Sequence, residues 1–90
     1  MIEKLGFTGN GWEEYVAWQA QDKRVFKKIN SLIKDIMRNG HSGVGHPEPL
    51  KANYSGYWSR KIDEKNRLVY RIVDDKEIEI IHCMGHYGDK

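Results

Sequence analysis

Hydrophobic and polar positions alternate along this chain with two different periods, and the change from one to the other divides it into a helical half and a strand half. In the first half Phe26, Ile29, Ile33, Ile36 and Met37 recur at helical spacing, with Lys27, Lys28, Lys34 and Arg38 largely off that stripe. Asp22 is positioned to cap this helix, and Asn39-Gly40 to end it, because both tolerate left-handed backbone. A shorter helix is predicted before it, from an Asn10 N-cap with Glu13 as capping-box partner to about Ala20. Trp12, Tyr15, Val16 and Trp18 would supply its core face. Residues Ile2–Phe7 suit a short strand ahead of it.

The second half reads with period two. Tyr57–Ile62 places Trp58, Arg60 and Ile62 on one face and Tyr57, Ser59 and Lys61 on the other. Arg67–Val73 does the same with Leu68, Tyr70 and Ile72 against Arg67, Val69 and Arg71, and Ile78–Met84 is β-branched. The joining turns, Asp63–Asn66 and Asp74–Lys76, are short, which implies an antiparallel meander. Two helices followed by hairpin-linked strands predict an α+β fold with the helices packed on a small antiparallel sheet. Between the halves, residues 39–56 hold both prolines and four of the nine glycines. So long a connection in a small domain is more often functional than idle.

At 90 residues the chain is one domain, 1–90. Its 39% hydrophobic and 31% charged residues suit a soluble globular protein, and no apolar run approaches a membrane span. Residues Met1–Phe7 lack the apolar core of a secretory signal. The single cysteine, Cys83, excludes a disulfide framework and a four-thiolate zinc site; it reads as a small buried hydrophobe in a reducing cytoplasm. The net charge of +2 conceals two basic blocks. Asp22–Arg38 holds six cations against Asp22 and Asp35, and Lys51–Arg71 holds six against Asp63 and Glu64. Such blocks suit a polyanionic partner, or else a solvated helix face.

Three features could carry chemistry. Glu48 stands between Pro47 and Pro49, which would hold its carboxylate on a stiff extended segment suited to a general base, although an exposed turn glutamate would look the same. Lys61 and Arg67 fall on one sheet face across the Asp63–Asn66 turn, with Arg71 near; such cations either hold a phosphate or pair with Glu77 and Glu79. His86 and Tyr87 follow the last strand, where an imidazole could move a proton near neutrality or could lie in a frayed terminus. His41, His46, His82 and His86 lack metal-ligand spacing, and Gly40, Gly43 and Gly45 lead into Pro47 rather than a helix, so neither a metal nor a phosphate-loop cofactor is expected. A carboxylate, a cationic cluster and a histidine together suit a metal-free ribonuclease site that uses the ribose 2′-OH.

The segments WEEYVAWQAQDKRVFKKINSLIKDI and GHPEPLKANYSGYWSRKIDEKNRLVYRI, with the later His86-Tyr87, closely resemble the YoeB/Txe branch of the RelE toxins, from about Trp12 to Tyr87. The resemblance implies a RelE-like microbial RNase fold. It also implies metal-independent cleavage of mRNA in the A site of the bacterial 70S ribosome. By position, Glu48 resembles the family's general base, Arg67 its phosphate-stabilising arginine, His86 its general acid and Tyr87 the aromatic that closes the site. Lys51, Lys61 and Arg60 are expected to contact phosphate. Lys61 stands where relatives commonly carry a second arginine, and Gly88-Asp89-Lys90 follow the His-Tyr pair that ends close relatives. Implied partners are a cognate YefM/Axe-like antitoxin, a second toxin copy and, through the antitoxin complex alone, operator DNA. A non-catalytic RNA- or DNA-binding regulator acting with the antitoxin is the competing reading, because it needs only the charge.

Overall fold

The computed structural model describes residues 2–86. In chain order it comprises β1 (Lys4–Phe7), α1 (Gly9–Gln21), α2 (Lys23–Asn39), β2 (Glu48–Pro49), a 3₁₀ turn (Ala52–Tyr54), β3 (Trp58–Lys61), β4 (Arg67–Val73) and β5 (Glu77–His82). The strands form one sheet in the order β1-β5-β4-β3-β2, with the helices packed against one face. Among the described residues no helix is long and apolar enough to cross a membrane.

The fold is α+β, and β3, β4 and β5 form the expected meander. The sheet is mixed rather than purely antiparallel, because β1 returns beside β5 in parallel, Leu5 opposite Ile78. A parallel neighbour needs a long crossover, and nearly the whole chain separates these two strands. At the β4–β5 turn Asp74 and Asp75 have φ of 53° and 60°, and the Lys76 N–H donates to the Val73 carbonyl at 3.1 Å, as a type I′ hairpin turn requires.

Helix α2 follows its pattern. Asp22 Oδ1 accepts from the Arg24 and Val25 N–H groups, and Gly40 at φ 66° ends the helix. Ile29, Leu32 and Ile36 are fully buried against Leu68, Tyr70, Ile78 and Ile80 from the sheet. Cys83 joins this core, and burial, reinforced by nearby Glu14, pushes its thiol up to about 12, so it is inert at neutral pH.

Helix α1 departs from the sequence reading at both levels. Its N-cap is Thr8, not Asn10: the Thr8 N–H donates to the Ile80 carbonyl and its hydroxyl accepts from Gly11, so the chain leaves β1 straight into the helix. The aromatic stripe is only half core. Trp18 is buried and donates from Nε1 to the Cys83 carbonyl at 2.8 Å, and Tyr15 packs on Phe26 and Phe7. Trp12, although its ring meets Phe7 and Tyr15, and Val16 remain exposed, because α1 lies along the β1–β5 margin and no described element packs on its far side. Glu14, on the near side, accepts the Cys83 N–H at 2.7 Å and meets His82 Nδ1 at 3.2 Å.

The close approach of α1 to β5 makes a specific demand at Gly11, where a Cβ would run into the Ile80 carbonyl oxygen. Gly11→Ala is therefore expected to destabilise the protein by about 1–3 kcal/mol, the usual cost of overpacking, in spite of alanine's better helix propensity. Urea unfolding checks this: the midpoint should fall at unchanged m, and a midpoint at or above wild type would remove the contact as a constraint.

Candidate active site

The outer face of the sheet, opposite the helices, carries a cleft at the β2 edge. Alternation on β3 sends Trp58, Arg60 and Ile62 toward the helical layer and leaves Ser59 and Lys61 facing out. The antiparallel register sets Lys61 directly opposite Arg67, and Glu48 directly opposite Ser59. Glu48, Ser59, Lys61, Arg67 and His46 together line a cavity of about 190 Å³.

The backbone fixes Glu48, and side-chain contacts hold Lys61 and Arg67. Glu48 lies in the two-residue strand β2, an edge strand where Pro49 can sit without breaking a ladder. The next residue, Leu50, is buried and donates its N–H to the Tyr57 carbonyl at 2.9 Å, which anchors the strand's far end. Lys61 Nζ lies 2.7 Å from Glu64 Oε2, and this hydrogen bond, with the lysine's charge, holds the Glu64 carboxyl below its ordinary range. Arg67 Nη1 donates to the Asp63 carbonyl at 2.7 Å and to the Asn66 carbonyl at 3.2 Å, which orients its guanidinium.

The Asp63–Asn66 turn is built on one carboxylate. Asp63 Oδ1 accepts from the N–H groups of Lys65 and Asn66 and from Asn66 Nδ2. Burial pushes the Asp63 carboxyl up, but these hydrogen bonds outweigh it and the net displacement is downward. The same turn reaches the end of the chain: Gly85 donates to Asn66 Oδ1, and Arg67 N–H donates to the Gly85 carbonyl, both at 2.8 Å. His86 follows Gly85, Arg67's backbone partner, and is exposed. Tyr87 lies outside the described residues.

Three of the expected residues, Glu48, Lys61 and Arg67, thus share the cleft; His86 is not among the residues that line it. Lys51 is exposed at the start of the 3₁₀ turn and does not line the cavity. Arg71, on the same face, is committed to its cross-strand partner Glu79 at 2.8 Å. Ser59 and His46 are further cleft residues beyond those the sequence points to, although the alternation that places Lys61 also puts Ser59 on the same face.

Arg60 is a correction. Expected to contact phosphate, it is fully buried on the opposite side of the sheet, and all five of its N–H donors are occupied. Nε donates to Tyr70 Oη, Nη1 to Asp35 Oδ2 and the Val44 carbonyl, and Nη2 to the carbonyls of Gly40 and Ser42. It folds the loop from Gly40 to Pro47 against the core instead of meeting a ligand. His41, stacked on Trp58 with ring centroids 3.9 Å apart, closes that loop's outer side. Burial, and then the charge of Arg60, lowers its basicity.

Compared with known proteins, the chain falls with the toxins of bacterial type II toxin–antitoxin systems. Within that class the chain belongs to the YoeB-like toxins, a family that matches it over residues 7–87. It is 51% identical over 84 residues to Toxin YoeB of Streptomyces coelicolor, covering 93% of this chain and 99% of that protein. The YoeB/ParE toxin from Agrobacterium tumefaciens superposes with a TM-score of 0.89 at 44% identity, over 93% of this chain and 99% of the other. The Staphylococcus aureus YoeB dimer gives 0.87 at 45% identity. The heterotetrameric YoeB–YefM toxin–antitoxin complex of that organism gives 0.86 at 43%. Each covers 97% of this chain and all of the matched chain. Escherichia coli YafQ, at 17% identity and a TM-score of 0.75, shares the fold alone.

The Asp35–Arg60 pair makes a pH-dependent prediction. The hydrogen bond from Arg60 holds the Asp35 carboxyl below its ordinary value of 3.8, so its contribution is full above that value and is lost as pH falls through the folded one. At pH 7 Asp35→Asn should cost about 3 kcal/mol, since it leaves a buried cation without its counter-charge. Denaturant melts from pH 7 down to about 3 should show the gap to wild type narrowing with acidification. A gap independent of pH would mean that the Asp35 charge contributes nothing.

Proposed function

We propose that this toxin is a ribosome-dependent endoribonuclease that cuts mRNA in the ribosomal A site, using the substrate's own 2′-OH and no resident metal ion. The observation that carries this reading is the cleft in which a carboxylate, Glu48, shares a cavity with two cross-strand cations, Lys61 and Arg67. Lys61 and Arg67 face each other across the strands at this cavity, where an anionic group of a substrate can meet both. A phosphodiester is the anion that membership in this toxin family favours.

In the proposed reaction Glu48 takes the proton of the 2′-OH as that oxygen attacks the adjacent phosphorus. The bond to the leaving 5′-oxygen breaks, and His86 supplies the proton that this oxygen needs. The products are a 2′,3′-cyclic phosphate and a free 5′-hydroxyl. Arg67 and Lys61 offset the negative charge that builds on the phosphorane, and in the family's pattern Tyr87 closes the site. Lys51, exposed on the turn after β2, contacts a neighbouring phosphate. The nucleophile is already beside the phosphorus, so no water has to be activated. DNA lacks the 2′-OH and is not cut.

The partners follow the relatives. A YefM-like antitoxin, by analogy with the S. aureus complex, covers the cationic cleft with an acidic segment, and the toxin pairs with a second copy as in the S. aureus dimer. Operator DNA is met through the antitoxin complex, and the toxin acts in the cytoplasm.

Single-turnover cleavage on programmed ribosomes tests the assignment. Glu48→Gln and His86→Gln should each slow cutting by about 10²-fold or more, and Arg67→Ala should do so as well, with melting temperatures near wild type. Arg67→Lys should also be slow, because an ammonium loses the bidentate fork; a purely electrostatic RNA binder would barely register that change. Wild-type rates in the Glu48 and His86 variants would take both residues out of the mechanism.

A message with a single 2′-deoxy sugar 5′ to the cut phosphate addresses the nucleophile. It should bind the toxin–ribosome complex normally and resist cleavage, and zinc-selective chelation should leave cutting of the ordinary message unchanged. Cutting of the deoxy message at that phosphate would require an activated water instead.

A further inference from the structure

The proposed reaction leaves two groups in the cleft without a task, Ser59 and His46, and of these only His46 carries an imidazole. His46 lines the same cavity as Glu48, Ser59, Lys61 and Arg67. Its side chain is exposed, and its ring makes no hydrogen bond or ion pair with any described residue. The cations beside it are already engaged, Lys61 with Glu64 and Arg67 Nη1 with two backbone carbonyls.

The backbone at His46 is equally informative. Its φ of 51° lies in the left-handed region, which residues with a Cβ seldom occupy. Such a conformation persists where the surroundings over-determine it, and it clusters at functional sites. Here the surroundings do so from both sides. Arg60 binds the carbonyls of Gly40, Ser42 and Val44, and the Lys61 N–H donates to the Gly45 carbonyl at 2.7 Å. Gly45, at φ 83°, lies so close to Leu32 and Arg60 that a side chain there would meet both. Pro47 then restricts the chain on the other side. A strap tied by four carbonyls to β3 thus presents an unengaged imidazole to the space between a carboxylate and two cations.

We propose that His46 is a further catalytic residue, whose ring N–H donates a hydrogen bond to a non-bridging oxygen of the scissile phosphate as charge builds there. The assignment rests on the endoribonuclease reading above and extends it. Imidazole carries at least one N–H in either protonation state, so the role does not depend on its charge. A donor held by the backbone before substrate arrives needs no reorganisation during the reaction, which is where such donors are most effective.

Three substitutions separate this role from a purely conformational one. His46→Gln keeps a donor at similar reach, His46→Met keeps the length without a donor, and His46→Asn keeps the left-handed backbone with a donor that falls short. Single-turnover cleavage at saturating toxin should fall about 10²-fold in the Met and Asn variants, the scale of one lost oxyanion donor, and only severalfold in the Gln variant. Ribosome binding should be unchanged in all three. Should the Met variant melt early, the Asn variant decides, since asparagine accepts this backbone readily. Wild-type rates in Met or Asn, or a Gln variant as slow as Met, would overturn the assignment. Glu48→Gln serves as the reference. If it is slow while His46→Met is fast, only the role of His46 falls; if the wild type itself leaves ribosome-bound message uncut, the endoribonuclease reading falls first.

Discussion

A buried guanidinium organises this molecule. Arg60 sits on the short strand β3, next to the sheet edge, whose alternation turns it toward the helices, where it is fully buried. An isolated charge there would be prohibitively expensive, so the fold has to bring it a counter-charge and enough acceptors for five donors. Asp35 comes from α2, Tyr70 from β4, and three carbonyls come from the loop between α2 and β2. That loop has little apolar surface of its own to bury. It takes one shape because its carbonyls are the acceptors the arginine needs. The carboxylate that neutralises Arg60 also accepts the Val44 N–H, so helix, strand and loop meet at one charge.

The consequence for the site is a division of labour across one strand. Arg60 holds the loop from the core side while its neighbours Ser59 and Lys61 line the cleft on the other. The cleft therefore inherits rigidity from a network it does not touch. Glu48 gains from this directly, since it follows the loop and pairs with Ser59. For a group that has to meet a reacting proton, such a frame matters more than proximity alone, because small misplacements are costly in rate. The Asp63–Asn66 turn does the equivalent for the other wall: one carboxylate shapes it, Arg67 is oriented on its carbonyls, and the Gly85 backbone is tied beside Arg67.

The opposite margin of the sheet shows different physics. There α1 leans on β5 through Gly11 and through the Glu14 carboxylate, which takes the Cys83 N–H beyond the point where β1 has ended. An acidic side chain thereby completes a ladder that the parallel strand is too short to cover. Trp12 and Val16, on the outer side of α1, find no such neighbour and stay exposed.

Much of this was legible in the chain itself. The limits of α2, the three meander strands and the placing of Lys61 opposite Arg67 follow from periods of 3.6 and 2 and from turn residues, all of them local properties. The α+β class followed from the order of those elements. What sequence alone left undecided depends on partners distant along the chain. Strand β1 runs parallel to β5 because seventy-odd residues fold back to meet it, and Thr8 rather than Asn10 caps α1 because the Ile80 carbonyl lies within reach. Arg60 and Lys61 are adjacent cations that the period-two alternation sets on opposite faces, Arg60 with Trp58 and Ile62, without saying which face meets a ligand. Only the packing of helices on one face of the sheet sends Arg60 into the core and leaves Lys61 in the cleft. His46, preceding a proline in a glycine-rich loop, had no periodicity to place it; the acceptors that Arg60 draws from that loop determined where it points.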